Sequence, residues 1–228
     1  RPEMNDSGHP DVDIVLTTRE LGRMFREAGI DFADLPEEEY DVPLGISTGA
    51  GAIFGASGGV MEAALRTVYE LVTGTELENL NFEDVRGLEG IKSATVKLPL
   101  PEAAAAGDGN GASLEKSELE VKVAVAHSLK HAKTLMDKIR AGEADFQFLE
   151  VMCCPGGCIG GGGQPIPTTN AERADRIQAI YEEDAGMPLR KSHENPAVQT
   201  LYEEFLGKPL GEKSHKLLHT HYQVRERF

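Results

Sequence analysis

Residues 146–165 read FQFLEVMCCPGGCIGGGGQP, and this stretch carries the strongest signal for the fold. Its first part, Phe146–Met152, is an apolar run of the length expected for a buried strand. The run leads directly into a cluster of cysteines and a glycine-rich loop. In α/β proteins the loops that follow the strands carry the ligand sites. The stretch therefore predicts an α/β fold with a site at the end of this strand.

Other segments of the chain alternate between strand and helix patterns. Apolar or alternating runs predict strands at Val12–Leu16, Ala94–Leu98 and Leu119–Val125. Helices are predicted over 17–28, 60–72 and 127–140, from the Asn170 cap onward, and from Pro196 to Gly207. This alternation favours a mostly parallel sheet flanked by helices, followed by C-terminal helices. We accordingly divide the chain into a lobe over 1–168 and a C-terminal helical wrap over 169–228.

The composition excludes several classes of partner. The chain has 228 residues and a formal net charge of −15, which disfavours binding to nucleic acid or to anionic membranes. It contains no apolar run long enough for a membrane span and no signal-peptide pattern. Its 3 cysteines are clustered, which favours metal or redox chemistry in a reducing compartment, the cytoplasm, over a disulfide framework. The opening Arg1-Pro2-Glu3-Met4 has no initiator methionine, so we expect a segment of a longer protein.

The cysteine loop has the chemistry of half a metal site. Cys154 and Cys158 are separated by a proline and two glycines, and glycine lets backbone N–H groups approach anionic sulfur closely. A zinc ion or a four-iron cluster needs about four protein ligands. The adjacent Cys153 is poorly placed to share one cluster with Cys154, so the remaining ligands must come from elsewhere. A nucleophilic cysteine and a loop with incidental thiols are the alternatives.

A second glycine-rich stretch, residues 48–59, reads TGAGAIFGASGG and precedes a predicted helix. Such a sequence is typical of a phosphate or dinucleotide loop at a helix N-terminus. The spacing fits that motif only loosely, and Pro43 and Gly45 interrupt the segment before it. A tight helix entry without a ligand is another interpretation.

Together, these motifs resemble the iron-only (FeFe) hydrogenases. Residues 150–165 are similar to the family's third cysteine motif, E-V-M-x-C-P-G-G-C followed by G-G-G-Q-P. Residues 54–66 resemble its F-G-A-x-G-G-V-M-E-A-A-x-R stretch. Residues 207–222 resemble its C-terminal signature, in which no metal is expected at His215 and His219 despite their zinc-like i, i+4 spacing.

The resemblance implies roles for individual residues. Cys154 would ligate a four-iron (4Fe-4S) cubane. Cys158 would ligate the same cubane and bridge to a two-iron subsite that carries CO, CN and dithiolate ligands, the whole forming the H-cluster. Met152 would pack against that subsite, and Phe54 with Gly55 would form its wall.

The same resemblance implies what this chain lacks. The other two cubane ligands and the proton-relay cysteine are expected upstream, so no catalytic residue is assigned here. Cys153 stands where relatives carry a small residue and is not expected to be a ligand.

The expected activity is reversible H₂ oxidation. The expected partners are the remainder of the catalytic domain and either ferredoxin or nicotinamide-linked electron-transfer subunits. The alternatives are a related non-catalytic iron–sulfur assembly protein, which lacks the methionine and F-G environment, and a nucleotide-binding α/β subunit.

Overall fold

The computed structural model describes residues 8–38, 46–100 and 118–219, and their sheet has three strands. The strands are β1 (Ile91–Pro99), β2 (Glu118–His127) and β3 (Phe148–Met152), in the order β1-β2-β3. β1 pairs with β2 antiparallel, and β2 pairs with β3 parallel. The α/β class is confirmed, and the sheet is mixed, with one pair of each kind among the described residues.

Seven α-helices are found in the described residues, and several flank this sheet. They are α1 (Thr18–Glu27), α2 (Gly49–Ala52), α3 (Gly59–Thr73), α4 (Leu129–Arg140), α5 (Asn170–Gly186), α6 (Pro196–Leu201) and α7 (Glu212–Leu218). A π-helical turn, Tyr202–Leu206, continues α6. The chain also forms 3₁₀ turns at Phe32–Asp34, Ile53–Gly55, Glu83–Val85, Cys158–Gly160 and Ser192–Glu194.

β2 is the central strand of the sheet, and its C-terminal half is buried on both faces. Its Val123 and Val125 pack against Met61 and Leu65 of α3. Its Ala124 and Ala126, on the opposite face, belong to a cluster with Leu135 of α4. Successive side chains of a strand point to opposite faces, so one strand serves both helices. α4 is also the crossover that the parallel β2–β3 pair needs.

The helix signals in the sequence are largely confirmed. Thr17 caps α1, with Glu20 completing the predicted capping box. α3 ends at Gly74 in the left-handed conformation, as its sequence indicates. The N-cap of α5 is Thr169, one residue before the predicted Asn170, and it forms a second capping box with Glu172.

The predicted strand at Val12–Leu16 is wrong. This segment forms no strand, and its apolar side chains are exposed, Val15 by 83%. Within the described residues no neighbouring strand supplies the hydrogen bonds that a strand requires, so an apolar run alone does not make one. Several predicted features lie outside the described residues: Arg1–Met4, the interruption at Pro43 and Gly45, and the histidine at position 221.

None of the helices in the described ranges combines the length and the apolar character that crossing a bilayer requires.

Candidate functional site

The site begins where β3 ends and the chain turns through its cysteines. The Gly157 N–H donates to the Cys154 carbonyl at 3.0 Å, which closes a tight turn between the two predicted ligands. Gly156 and Gly157 have φ values of 79° and 97°, a region that residues with a Cβ rarely adopt. Cys154 is half-buried, whereas Cys153 and Cys158 are exposed. The turn therefore presents two thiols from a backbone that requires its glycines.

Both sides of this turn are held by other elements. The Gly156 N–H donates to Nδ1 of His127 at 3.1 Å, and the Gly156 carbonyl accepts from the Ser57 N–H at 3.0 Å. The Nε2 of His127 lies 3.1 Å from the Leu88 carbonyl. Because Nδ1 accepts a hydrogen bond, the proton of a neutral ring is on Nε2, which donates to Leu88. Sequence reasoning missed His127, because only the strand register places it beside Met152.

The glycine-rich helix entry meets the cysteine turn at Gly157. A Cβ on Gly157 would lie 2.7 Å from the Ser57 nitrogen, 2.8 Å from the Gly55 oxygen and 2.9 Å from the Met152 sulfur. Two segments about a hundred residues apart thus converge on the residue before Cys158. Two of the predicted wall residues, Gly55 and Met152, are brought together there.

The other predicted wall residue, Phe54, lies in the same 3₁₀ turn as Gly55. Its side chain is 45% exposed. A side chain at Gly55 would point to Ile180, with a Cβ 2.9 Å from the Ile180 Cδ1 atom, so the backbone of Gly55 faces the turn. Gly55 therefore faces the cysteine turn with its backbone, and the neighbouring Phe54 has a partly exposed ring.

The start of α3 is occupied by a side chain of the protein. The buried carboxylate of Glu150 accepts the N–H groups of Gly58 and Met61, each at 2.7 Å. A Cβ on Gly59 would lie 1.7 Å from the Ile53 carbonyl oxygen, so this glycine serves close packing. An anionic ligand at a helix N-terminus would use the same N–H groups. The arrangement argues against a phosphate loop at residues 48–59.

A buried lysine lies behind the helix entry. The ammonium group of Lys92 donates to the carbonyls of Ser57 at 3.0 Å and of Gly87 at 2.9 Å. Burial lowers the pKa of Lys92 to about 8, opposed by the negative charges of Glu150 and Glu89. The sequence contains no signal for this position, since an isolated lysine in a strand is normally exposed.

The far end of the loop packs closely against side chains. A Cβ on Gly161 would lie 2.3 Å from the Cys154 sulfur. The Arg176 guanidinium donates to the Ile159 carbonyl at 2.8 Å. Of the buried side-chain polar atoms in the described ranges, Arg173 Nε alone has no hydrogen-bond partner, and a Cβ on Gly160 would lie 3.1 Å from it. Two thiols, a glycine cradle and an unpaired donor fit part of the binding site of an anionic, sulfur-rich group.

Two family models match this chain. "Iron only hydrogenase large subunit, C-terminal domain" matches residues 1–162, and "Iron hydrogenase small subunit" matches residues 170–225. The α/β fold and the cysteine turn thus agree with a segment of the hydrogenase type. The chain belongs to the iron-only hydrogenases and corresponds to a C-terminal part of them.

Relatives and solved structures agree with this assignment. The chain is 54% identical over 228 residues to the NADP-reducing hydrogenase subunit HndD of Solidesulfovibrio fructosivorans, covering 100% of this chain and 36% of that protein. It is 47% identical over 176 residues to the periplasmic Fe hydrogenase large subunit of Nitratidesulfovibrio vulgaris, covering 77% of this chain and 38% of the relative. A structure of FeFe-hydrogenase HydA1 from Chlamydomonas reinhardtii matches with a TM-score of 0.72 and 46% identity, over 95% of this chain and 57% of that one. The chain thus spans little more than a third of the length of the two curated hydrogenases, HndD and the periplasmic large subunit.

Iron–sulfur assembly proteins are more distant relatives. Cytosolic iron-sulfur assembly component 3 of Mus musculus is 26% identical over 95% of this chain and 42% of that protein. That identity is lower than the values for the two hydrogenases above.

Proposed function

We propose that this chain forms part of an iron-only hydrogenase that catalyses reversible H₂ oxidation at a six-iron H-cluster. The observation that carries the proposal is the convergence of the cysteine turn, Gly55 and Met152 around Gly157. A two-thiol turn alone would suit many metal sites. Here the thiol turn lies against the Met152 thioether and the Gly55 carbonyl oxygen, and such surroundings suit a cluster with an attached apolar subsite.

Each residue of the proposed site has a specific task. Cys154 and Cys158 would hold the cubane, and the family resemblance gives Cys158 the additional contact with the two-iron subsite. The H-cluster, when bound, supplies the hydrogen chemistry and the electron storage. Met152, Phe54 and Gly55 exclude water from one side of the subsite.

Other residues of the chain support the turn without binding metal. His127 and Ser57 hold the peptide between the two thiolates at a fixed angle. Cys153 is exposed beside the site, and we propose no ligand role for it.

The remaining features of the proposal concern organisation and partners. We propose a lobe over 1–168 and a wrap over 169–228, and this boundary falls in the gap between the two family matches, which cover 1–162 and 170–225. The remainder of the catalytic domain would supply the other cubane ligands. Electrons would pass to ferredoxin or to a nicotinamide-linked subunit, and the NADP-reducing relative favours the second of these partners. We place this transfer in the cytoplasm, a location that the periplasmic relative does not support.

The two alternative functions are less well supported. An iron–sulfur assembly protein is disfavoured by the lower identity to that group and by the shared wall of Met152 and Gly55. A nucleotide-binding subunit is disfavoured because Glu150 occupies the helix N-terminus that a phosphate would use.

Iron analysis combined with infrared spectroscopy of the complete catalytic domain tests the proposal. We expect about six irons per domain for the H-cluster itself, with infrared bands from CO and CN ligands. An assembly protein would contain iron without these bands. A nucleotide-binding subunit would contain neither and would show saturable nucleotide binding.

Gly157→Ala tests the shared wall directly. The new Cβ would overlap the Ser57 nitrogen and the Gly55 oxygen, which are backbone atoms and cannot rotate away. We expect the infrared bands to be lost or shifted while the protein remains folded by circular dichroism.

Gly162→Ala is the matched control for this prediction. Gly162 also has a positive φ, 58°, but a Cβ there would meet nothing within 4 Å. Both changes place alanine at a positive φ, a backbone strain of about 1–3 kcal/mol each, and only Gly157→Ala adds the overlap with neighbouring backbone atoms. Equal infrared spectra for the two variants would contradict the proposed wall.

A further inference from the structure

We propose that Lys92 is a positioning residue of the cluster site and that its buried ammonium raises the reduction potential of the cubane held by Cys154 and Cys158. The inference rests on the proposed function. Lys92 does not contact the cysteine turn itself. It acts through Ser57, which it holds, and through the electrostatic field of its charge.

The position of Lys92 follows from a short chain of hydrogen bonds. Its Nζ donates to the Ser57 carbonyl at 3.0 Å. The N–H of the same Ser57 donates to the Gly156 carbonyl at 3.0 Å, and Gly156 lies midway between the two cysteines. The ammonium is therefore one residue removed from the turn, on the protein side of the site. It is 6% exposed, so little solvent screens it.

The charge of Lys92 is not neutralised by a direct ion pair. The other strongly buried cations, Arg66 and Lys191, each contact a carboxylate at 2.8 Å or less. Within the described parts of the chain, no carboxylate lies within 4.0 Å of the Lys92 nitrogen, which instead contacts two backbone carbonyls and the Ser57 hydroxyl at 3.5 Å.

Two acidic groups, Glu150 and Glu89, raise the pKa of Lys92, and neither forms an ion pair with it. Glu150 directs both its oxygens to the start of α3, and Glu89 is exposed. The pKa of about 8 leaves the ammonium as the main form at pH 7. Within the described residues, the interior thus contains a positive charge that no direct ion pair neutralises.

The expected effect on the cluster follows from charge balance. One-electron reduction of a four-iron cubane adds one negative charge and no proton. A fixed cation in a poorly screened interior stabilises the more negative state. The potential of iron–sulfur clusters responds to net charge and to hydrogen bonds around the sulfurs. Lys92 should therefore favour the reduced cubane, and its neutral replacement should make reduction harder.

Redox titration of the complete catalytic domain, monitored by electron paramagnetic resonance, tests this inference. Lys92→Gln keeps N–H donors but removes the charge, and we expect its cubane midpoint potential to shift to more negative values. Lys92→Arg keeps the charge, and its midpoint should stay close to that of the unmodified protein. Lys97→Gln is the matched control, because Lys97 lies on the same strand with a side chain 61% exposed. Its midpoint should not change.

Each remaining outcome also decides the question. An unchanged midpoint in Lys92→Gln with full iron content would overturn the inference. If Lys92→Gln fails to hold the cluster, retention in Lys92→Arg supports a role for the charge. Loss in both variants would mean that Lys92 only ties two carbonyls together, which overturns the inference. An unmodified protein without a cubane would refute the proposed function itself, and that result is obtained before any variant is made.

Discussion

Cys154→Ala and Cys158→Ala, each made in the complete catalytic domain, will abolish hydrogen turnover and reduce bound iron, whereas Cys153→Ala will preserve both. The reason is geometric. The hydrogen bond from Gly157 to the Cys154 carbonyl closes a turn that presents the first and last thiols of the motif. The proposed cubane needs both thiolates, and the one further cysteine of this chain, Cys153, is adjacent to Cys154 and poorly placed to replace either.

Iron content and hydrogen evolution with a reduced artificial donor, measured on the same samples, check this expectation. Cys153→Ala is the matched control, since it removes a neighbouring thiol that is also exposed. If Cys153→Ala lost iron and activity to the same extent as Cys154→Ala, the ligand would have been assigned to the wrong cysteine. Normal turnover in Cys158→Ala would exclude the bridging role.

The local elements could be predicted because their signals lie within a few residues. The Thr17–Glu20 capping box and the Gly74 stop each require only neighbouring atoms. The cysteine turn is similar, since its two glycines at positive φ and its two thiols are contiguous. For these features, the residues that form the sequence signal are also the residues that make the stabilising contacts.

The direction of strand pairing could not be predicted in the same way. The alternation of strands and helices favours parallel pairing, but β1 lies antiparallel to β2. Val12–Leu16 shows the converse problem, because an apolar run becomes a strand only beside a partner. Both depend on atoms far away in the chain.

The side chains that hold the cysteine turn and the helix start in place could not be predicted from the sequence either. Glu150, His127 and Lys92 reach the cysteine turn or the helix entry from different strands, through hydrogen bonds to backbone atoms. A backbone acceptor or donor has no sequence signature, so such partners emerge only from the strand register. The glycines at 58 and 59 suggest a phosphate loop for the same reason, since close packing and phosphate binding both require an absent Cβ.

The second large effect concerns a buried ionic network between α3 and α5. Arg66 donates to Glu62 at 2.7 Å and to Asp184 at 2.8 Å, and all three side chains are fully buried. Burial opposes the charge of Asp184, yet the hydrogen bonds from Arg66 and Arg190 lower its pKa. The network joins the helix that starts at the glycine-rich entry to the helix of the C-terminal wrap.

Arg66→Met should lower the free energy of unfolding by at most about 3–5 kcal/mol, because two buried carboxylates lose their shared buried cation and keep only the partly exposed Arg86 and Arg190. Chemical denaturation of the catalytic domain measures the change. Lys133→Met is the matched control: it removes the cation of another i, i+4 pair, with Asp137, in which both side chains are at least half exposed. Solvent screens such a pair, so little change is expected there. Similar losses in the two variants would show that burial does not determine the contribution of Arg66, and that α3 and α5 are held together by their apolar contacts instead.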